Sequence, residues 1–293
     1  MNELFGEGRR QSDDTSSQPR ADLHLHSIYS DGVLTPKELV QQASKYNISV
    51  ISITDHDNVG AINEAIEEGK QVGVEVIPGL ELSVEMNDKD IHLLAYFFDP
   101  ENIRLNDYLR FFQHERLRRA ERIIEKLNRI NVPLDIDSVL EQAGIGSVGR
   151  PHIASALLEH GLIENYHEAF QKYLGNGAPA FEKKYQLSPN EAIQLISHAG
   201  GLCFLAHPGK YTSDVELFQL IKLGIDGIEV VHPSHSESQQ NFYRSVVNQY
   251  FLLESGGSDF HGGKKGDDQT FGTFTIQLQI VDEMRTRLFS KPR

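Results

Sequence analysis

The sequence predicts an α/β protein that is built from βα units and carries a helical insertion. Short apolar runs alternate with amphipathic segments from Ala21 onward, which is typical of βα units with parallel strands. The alternation stops at about residue 100 and resumes at about residue 188, and between these points apolar residues recur at helical spacing. A chain of 293 residues with 39% hydrophobic content can bury one sizeable core, or one core and an insertion. A single (β/α) barrel fits that length.

The elements can be assigned in chain order. Residues 1–20 are polar and lack periodicity, so we expect a disordered tail. In residues 21–99 the alternating runs are ADLHLH, TPKELVQQASKYN, SVISITD, AINEAIEEGKQVG, VEVIPGLELS and DIHLLAYFF. Residues 100–187 contain the helical runs LNDYLRFFQHERLRRAERIIEKLNRI, PHIASALLEHG and NYHEAFQKYLG, which predict a helical insertion domain. Residues 188–293 return to the alternation with SPNEAIQLISHAGG, GLCFLAHP, DVELFQLIKLG, GIDGIEVVHP, SQQNFYRSVVNQY and FLLESGGSDFH.

The net charge limits which binding partners the chain can have. A formal net charge of −14 disfavours a surface that binds nucleic acid mainly through its phosphates, so we expect no stable binding of double-stranded nucleic acid. An anionic substrate remains compatible with this charge, because divalent cations held by buried carboxylates would form the dominant local positive charge.

The chain is expected to be soluble and cytoplasmic. Cys203 is the single cysteine, which excludes an intramolecular disulfide framework and fits a reducing compartment. No run of about 18 apolar residues is present, and the N-terminus lacks the apolar stretch of a signal peptide. We therefore expect no membrane association.

Imidazole and carboxylate side chains recur at the ends of the predicted strands in the first half. His24 and His26 share one face of a strand because side chains alternate with a period of two. Each of these residues also has a purely structural explanation. A pair such as His24 and His26 can arise by coincidence, and an aspartate before a glycine, such as Asp31, is common in turns. A lone histidine within a strand, such as His92, is usually a core residue. His56 lies in a polar turn after a strand, with Asp57 as a candidate N-cap for the next helix. Glu81 lies within an apolar strand, where an unpaired carboxylate would be costly, so a cation is expected beside it.

The second half adds three more such side chains before chain-breaking residues. His207 precedes Pro208, and Asp259 and His261 precede Gly262. The ends of barrel strands are where enzymes of this architecture build their active sites. Nine separate structural explanations would otherwise be needed, so together the residues predict a metal site.

The motifs resemble those of the PHP (polymerase and histidinol phosphatase) superfamily. The resemblance covers roughly residues 21 to 280 and rests on His24-Leu25-His26, Thr54-Asp55-His56-Asp57, Gly79-Leu80-Glu81, His92, Ala206-His207-Pro208 and Ser258-Asp259-Phe260-His261. It implies a distorted (β/α)7 barrel of PHP type with a helical insertion domain and three divalent metal ions in its mouth. The insertion and Gly149-Arg150-Pro151-His152 resemble the nucleoside 3′,5′-bisphosphate and AMP phosphatases, some of which trim RNA 5′ ends.

The resemblance also implies how the ligands are divided. The first metal would be held by His24, His26, Glu81 and Asp259. Glu81 would bridge to a second metal that is completed by His92 and His207. The third would be held by Asp31, His56 and His261.

Mixed imidazole and carboxylate ligands favour transition metals over Mg²⁺. Mn²⁺ is our first expectation, with Fe²⁺ or Zn²⁺ as alternatives. Metals roughly 3.5–4 Å apart can share a water, lower its pKa and direct the resulting hydroxide at phosphorus.

Three further residues are candidates for substrate binding and catalysis. Arg150 offers a guanidinium that could clamp a phosphate, although it could instead cap the neighbouring helix. His232 and His235 follow another apolar run and could contact phosphate or protonate the leaving oxygen, although structural roles are nearly as common. The cluster of Arg116, Arg118, Arg119 and Arg122 is interpreted as a solvated helix face.

The leading hypothesis is therefore a metal-dependent phosphatase that acts on a small phosphorylated nucleotide. The enzymatic alternative is a 5′-to-3′ exoribonuclease that trims short RNA 5′ ends at the same metals. Histidinol phosphate is a weaker substrate candidate because the insertion resembles the nucleotide-specific subgroup. The alternative of another class is a non-catalytic, metal-bound interaction module.

Overall fold

The computed structural model describes residues 19–185, 187–209, 212–263 and 266–290. Within them lie the strands β1 (Arg20–Leu25), β2 (Ile48–Ile53), β3 (Glu75–Val76), β4 (Gly79–Met86), β5 (Lys89–Tyr96), β6 (Leu202–Leu205), β7 (Gly227–Val231), β8 (Leu253–Gly256) and β9 (Ile276–Gln277). The helices are α1 (Pro36–Lys45), α2 (Ile62–Val72), α3 (Ile103–Arg129), α4 (Ile136–Ala143), α5 (Arg150–Glu159), α6 (Tyr166–Ala169) with a π-helical continuation Phe170–Leu174, α7 (Pro189–His198), α8 (Asp214–Leu223), α9 (Glu237–Tyr250) and α10 (Leu278–Ser290). The mixed α/β class predicted from the sequence is confirmed.

The strands form two sheets. One has the order β3-β2-β1-β9 and the other has the order β4-β5-β6-β7-β8. Two isolated parallel bridges, Leu25 with Phe260 and His56 with Glu81, link the sheets. The sheets do not close into one continuous barrel within the described residues, so the sevenfold barrel stays an expectation.

The prediction of parallel strands is wrong for part of the second sheet. β5 runs antiparallel to both β4 and β6, whereas β6, β7 and β8 are parallel. The reversal occurs at Asn87 and Asp88, whose φ angles of 54° and 60° suit a two-residue type I′ turn. Such a tight turn leaves no chain for a crossover helix, so β4 and β5 must pair as a hairpin.

The insertion has a hydrophobic core of its own. That core contains Ala120, Leu127, Leu157 and other side chains up to Ala180. In contrast, Leu105 from the first turns of α3 packs into the core of the second sheet. Helix α3 therefore begins on the second sheet and joins the core of the insertion in its second half, and the division at residue 100 stays a prediction.

Residues 1–18 of the predicted tail, which was expected to span residues 1–20, lie outside the described residues. Its last residue was assigned wrongly, because Arg20 opens β1 and donates hydrogen bonds to the carbonyl oxygens of Gly272 at 3.0 Å and Tyr46 at 2.8 Å. Among the described helices, none combines the length and the apolarity that crossing a bilayer would require.

Candidate metal centre

The structure brings together all nine side chains that were predicted as metal ligands. They come from the ends of β1, β2, β6 and β8 and from within β4 and β5. The ligand atoms of eight of them fall into overlapping groups whose members lie within 4.8 Å of one another, one of which also contains His232. The ninth, His207, has its Nε2 3.0 Å from Glu81 Oε1. Residues separated by more than 200 positions in the sequence therefore meet at one place.

Glu81 is the centre of this cluster and is only 1% exposed. Its Oε1 lies 2.7 Å from His92 Nδ1 and 3.0 Å from His207 Nε2. Its Oε2 lies 3.2 Å from the Nε2 atoms of both His24 and His26. The two oxygens thus face two different sets of imidazoles, which is the arrangement a bridging carboxylate requires.

The other two carboxylates complete the groups. Asp259 Oδ1 lies 3.3 Å from His24 Nε2 and 3.1 Å from His26 Nε2. Asp31 Oδ1 lies 3.4 Å from His261 Nε2 and 4.0 Å from His56 Nε2.

The grouping differs from the expected division in two respects. His26 Nδ1 also lies 3.6 Å from Asp31 Oδ1, so His26 adjoins the third group as well as the first. His56 Nδ1 lies 3.4 Å from Glu81 Oε2, which brings it within reach of the bridging carboxylate.

The donor chemistry fits bound cations. His24 Nδ1 lies 2.8 Å from Glu229 Oε1, which favours the tautomer with its proton on Nδ1 and a lone pair on Nε2. That lone pair faces the nearest carboxylate oxygens of Glu81 and Asp259. Burial by itself lowers the pKa of His24, but the three carboxylates together raise it well above its usual value. The cluster therefore attracts positive charge, and divalent metal ions would satisfy all of these acceptors at once.

Glu229 was missed by the sequence analysis. It is fully buried, contacts His24 Nδ1 at 2.8 Å and accepts a hydrogen bond from the His207 backbone amide at 2.6 Å. A carboxylate that holds the second nitrogen of a ligating histidine fixes the orientation and tautomer of the ring. The argument used for Glu81 would have found it, because Glu229 also lies within an apolar strand.

Two further buried aspartates support the loops of the site. Asp22 accepts hydrogen bonds from the backbone amides of Ser258 at 2.9 Å and His24 at 3.3 Å, and burial raises its pKa to about 7. Asp55 accepts hydrogen bonds from the Ser27 amide at 2.8 Å and from the Ser30 hydroxyl. Both carboxylates hold loop backbone beside predicted ligands.

The interpretation of Asp57 as an N-cap is wrong. Helix α2 begins after Ala61 without a side-chain cap. Asp57 instead accepts hydrogen bonds from the Ser83 amide at 3.0 Å and from Arg116 Nη2 at 2.6 Å. Asp57 has a left-handed backbone, with φ of 51°, and lies four residues before Ala61, which occupies the N-cap position of α2.

Of the arginines that were predicted to be solvated, Arg119 is buried and Arg116 is largely buried. Arg116 is 13% exposed through its ion pair with Asp57, and Arg119 donates from Nε to the carbonyl oxygen of Glu182 at 2.9 Å. The helix face that carries these two arginines packs against the rest of the molecule. The spacing of charged residues along the helix therefore did not predict their low exposure.

His232 lies at the edge of the metal cluster. Its Nδ1 accepts a hydrogen bond from the Ser234 amide at 3.0 Å, and its Nε2 lies 3.2 Å from Asp259 Oδ2. In the neutral ring this places the proton on Nε2. His232 therefore offers a hydrogen bond rather than a lone pair at this position.

The substrate or catalytic role of His235 stays a prediction, and the structure shows both ring nitrogens bonded to the backbone. Its Nδ1 donates to the carbonyl oxygen of Val230 at 2.8 Å, and its Nε2 accepts from the Gly209 amide at 3.1 Å. Both ring nitrogens are used by the backbone, and only 5% of the residue is exposed. His235 holds the loop that follows β6.

Arg150 is partly committed to the insertion. Its Nη1 donates to the carbonyl oxygen of Leu174 at 3.0 Å, and its guanidinium lies 5.9 Å from the centre of the Phe181 ring. It also lines two neighbouring cavities. A role in phosphate binding therefore stays a prediction, with fewer donors available than the sequence suggested.

A cavity of about 290 Å³ opens beside the metal cluster. Asp31, His56 and His92 line one side, and the opposite side is formed by insertion residues that include Arg116 and Lys184. A second cavity, of about 510 Å³, shares Arg150 and Lys184 with the first. The two cavities are therefore neighbours, and the smaller one adjoins the predicted metal ligands.

Comparisons with known proteins give consistent results. The PHP domain family model matches residues 22–183. The chain is 34% identical to a 5′-3′ exoribonuclease of Haemophilus influenzae, over 82% of this chain and 89% of that protein. It is 30% identical to a 3′,5′-nucleoside bisphosphate phosphatase of Chromobacterium violaceum, over 84% and 88%.

A solved structure extends the similarity to the whole fold. A Bifidobacterium adolescentis protein, described as a candidate metal-dependent phosphoesterase, superimposes with a TM-score of 0.81 at 32% identity. The match covers 92% of this chain and 96% of that chain. The similarity therefore extends over nearly the whole of both chains.

Proposed function

This chain belongs to the PHP domain family and is a metal-dependent phosphoesterase, and on that premise we propose that it hydrolyses a phosphate monoester of a small nucleotide. The substrate would be a nucleoside 3′,5′-bisphosphate or AMP. The observation that carries the proposal is the buried Glu81 carboxylate, whose two oxygens face separate sets of imidazoles beside a cavity of about 290 Å³. That volume lies near the lower end of the range for small-molecule pockets.

The nine clustered side chains would hold three divalent ions, with Mn²⁺ as the first expectation. Glu81 would bridge two ion positions, and Asp259 and Asp31 would each complete a set of imidazoles. When bound, the ions would supply Lewis acidity to the phosphoryl oxygens and lower the pKa of water. The presence of all nine side chains in one cluster argues against the non-catalytic alternative.

His232 would assist at the reacting phosphate. Its Nε2 proton lies at the edge of the cluster beside Asp259, and the Ser234 amide fixes this tautomer. We assign to it a hydrogen bond to a phosphoryl oxygen or to the leaving oxygen. Arg150 would contribute charge from the far side of the cavity.

The proposal is tested by comparing kcat/KM for three substrates at two salt concentrations: AMP, a 3′,5′-bisphosphate and a short 5′-phosphorylated RNA. We expect kcat/KM for the bisphosphate to exceed kcat/KM for AMP, because the second phosphate of the bisphosphate would meet the cationic side of the cavity. Arg150→Ala should narrow this gap, whereas Arg118→Ala, at a 66% exposed side chain of the same insertion, should leave it unchanged. RNA as the best substrate at both salt concentrations would overturn the small-nucleotide proposal.

Two observations favour the exoribonuclease as the second candidate. The H. influenzae relative carries that activity in its name. A second cavity of about 510 Å³ shares Arg150 and Lys184 with the smaller one, and a longer oligonucleotide could extend into it. The net charge of −14 argues the other way, because it repels a polyanion at long range.

A further inference from the structure

The turn after β8 carries two of the predicted ligands, Asp259 and His261, and its backbone has an uncommon conformation. The φ angle is 48° at Asp259, 83° at Gly262 and 87° at Gly263. A left-handed backbone is uncommon outside glycine and persists where the surrounding structure enforces it. The turn therefore depends on contacts that hold it in the form that directs both side chains to the metal cluster.

The polar groups of His261 fix both its backbone and its ring. Its carbonyl oxygen accepts a hydrogen bond from the Val33 amide at 3.1 Å, and its Nδ1 donates to the Asp259 carbonyl oxygen at 2.7 Å. A proton on Nδ1 leaves the lone pair on Nε2, which lies 3.4 Å from Asp31 Oδ1 in the third group of ligands. The backbone amide of His261 donates to Asp267 Oδ2. The Nε2 lone pair is therefore aimed by contacts of the backbone as well as of the ring.

Asp267 contributes a buried carboxylate that the predicted ligand set does not include. The residue is 8% exposed, and its Oδ2 also lies 3.5 Å from His261 Nδ1. Its Oδ1 is buried and has no hydrogen-bond partner within the residues that the structure describes. Burying a carboxylate with so few contacts is costly, so a purely space-filling role would favour an apolar side chain here. The contact with the His261 amide is what the carboxylate adds.

Asp267 is held by its own turn, which is anchored in the core. Its carbonyl oxygen accepts hydrogen bonds from the Thr270 amide and the Thr270 hydroxyl, each at 2.9 Å. The next residue, Phe271, is 3% exposed, and its ring centre lies 5.1 Å from that of Phe260. Phe260 belongs to the ligand-bearing turn itself. The carboxylate therefore comes from a fixed support directly beside the turn that it holds.

We infer that Asp267 is a positioning residue of the metal centre, which holds the turn of Asp259 and His261 in its metal-binding form through the His261 amide. A hydrogen bond from an amide to a carboxylate is roughly twice as strong as one between neutral groups. Because the His261 ring is in turn bonded to the Asp259 carbonyl oxygen, loss of this bond should loosen both ligands. The inference rests on the metal centre of the proposed function and concerns how its ligands are held rather than which substrate is cleaved.

Four variants test the role of Asp267. Asp267→Ala removes the acceptor, whereas Asp267→Asn removes the charge and keeps a carbonyl oxygen that can accept from the His261 amide. Asp268→Ala is the matched control, because Asp268 is the next residue and is exposed. Thr270→Val is a milder change that removes the hydroxyl bond to the Asp267 carbonyl oxygen.

Equilibrium dialysis of each full-length variant against Mn²⁺, without substrate, measures the bound ions per chain at each free concentration, and circular dichroism checks that the chain is folded. Asp267→Ala should weaken binding of at least one Mn²⁺ per chain about 10- to 100-fold, the usual effect of removing a partner of a metal ligand. Asp267→Asn should restore most of the affinity, and Thr270→Val should lower it by a smaller factor. Asp268→Ala should bind Mn²⁺ as the wild type does.

This pattern separates positioning from a general loss of stability, because the dialysis reports on folded protein. Wild-type Mn²⁺ binding in Asp267→Ala, or an equal loss in Asp268→Ala, would overturn the inference, and so would a loss in Asp267→Asn as large as that in Asp267→Ala. If Asp267→Ala does not fold, Thr270→Val decides, and wild-type binding in that variant overturns the inference. Failure of the wild type to hydrolyse a nucleotide would contradict the proposed function alone, because the dialysis contains no substrate.

Discussion

Single residues behind the ligands determine how well the metal centre is organised. Glu229 has one oxygen on His24 Nδ1 and the other on the His207 backbone amide. Glu229→Gln replaces one of these two acceptors with a donor, so one contact must be lost. We expect the Mn²⁺ concentration that gives half-maximal activity to rise about 10- to 100-fold, the usual effect of removing a partner of a metal ligand.

A metal titration of activity checks this prediction. Glu254→Gln is the control, because Glu254 lies on β8 and pairs with Arg244 at 3.2 Å, away from the histidine cluster. If Glu229→Gln and Glu254→Gln give the same Mn²⁺ dependence as the wild type, Glu229 does not tune the ligands.

At the scale of single residues, most of the candidate site could be predicted from the local sequence. Glu81 and His207 could be predicted because each places a polar group in or at the end of an apolar strand. His235 has the same local setting, yet its two nitrogens are taken by Val230 and Gly209. No local pattern distinguishes these cases, since the partners of each ring are set by the tertiary fold.

At the scale of elements, the site depends on how closely the end of β8 approaches β1. A Cβ atom added at Gly257 would lie 2.4 Å from the backbone nitrogen of His24 and 2.6 Å from its Cβ. Gly257→Ala must therefore push the two strands apart and displace His24 and Asp259 together. We expect a loss of about 1–3 kcal/mol in unfolding free energy and a fall of at least about tenfold in kcat/KM.

Urea denaturation and steady-state kinetics test this expectation together. Gly200→Ala provides the comparison, because its φ of 81° penalises a side chain while no atom lies within 4 Å of the added carbon. It should lower stability and leave kcat/KM unchanged. Wild-type kinetics in Gly257→Ala would show that the close approach does not position His24.

The elements differed in how far they could be predicted. Three helical runs of the insertion, which correspond to α3, α5 and α6 with its continuation, were predicted from apolar spacing, because a stripe at three- and four-residue intervals has few other structural solutions. The short helix α4 was not predicted. The direction of β5 was not predicted either, since the alternation of side chains is the same in parallel and antiparallel strands. The type I′ turn at Asn87 and Asp88 was the available signal.

The whole molecule combines a net charge of −14 with a cluster of three carboxylates at one place. We expect protein purified without chelator, from cells supplied with Mn²⁺, to contain close to three divalent ions per chain. Chelation should lower the Tm, because ions that bind only the folded state stabilise it by mass action. Elemental analysis and thermal melts measure both quantities, and fewer than two ions per chain in a well-folded sample would exclude the three-metal site.

The net charge was informative about the whole surface and misleading about the cavity. The acidic balance predicted the absence of a basic track, yet Arg116, Arg150 and Lys184 gather at one cavity in the insertion. Composition averages over the molecule, so only the tertiary fold could show that these cations face the metal cluster.

The separate core of the insertion has an evolutionary consequence. All nine predicted ligands lie in residues 21–99 and 188–293, whereas Arg116, Ser147, Arg150 and Lys184 belong to residues 100–187. Because the second half of α3 and the helices after it pack around their own core, mutations there can accumulate without disturbing the sheets. Under the proposed function, bond-breaking chemistry and substrate choice would thus be inherited on different stretches of the gene. A lineage could change what it cleaves while preserving how it cleaves, and relatives named for RNA and for a bisphosphate are what such a history would leave.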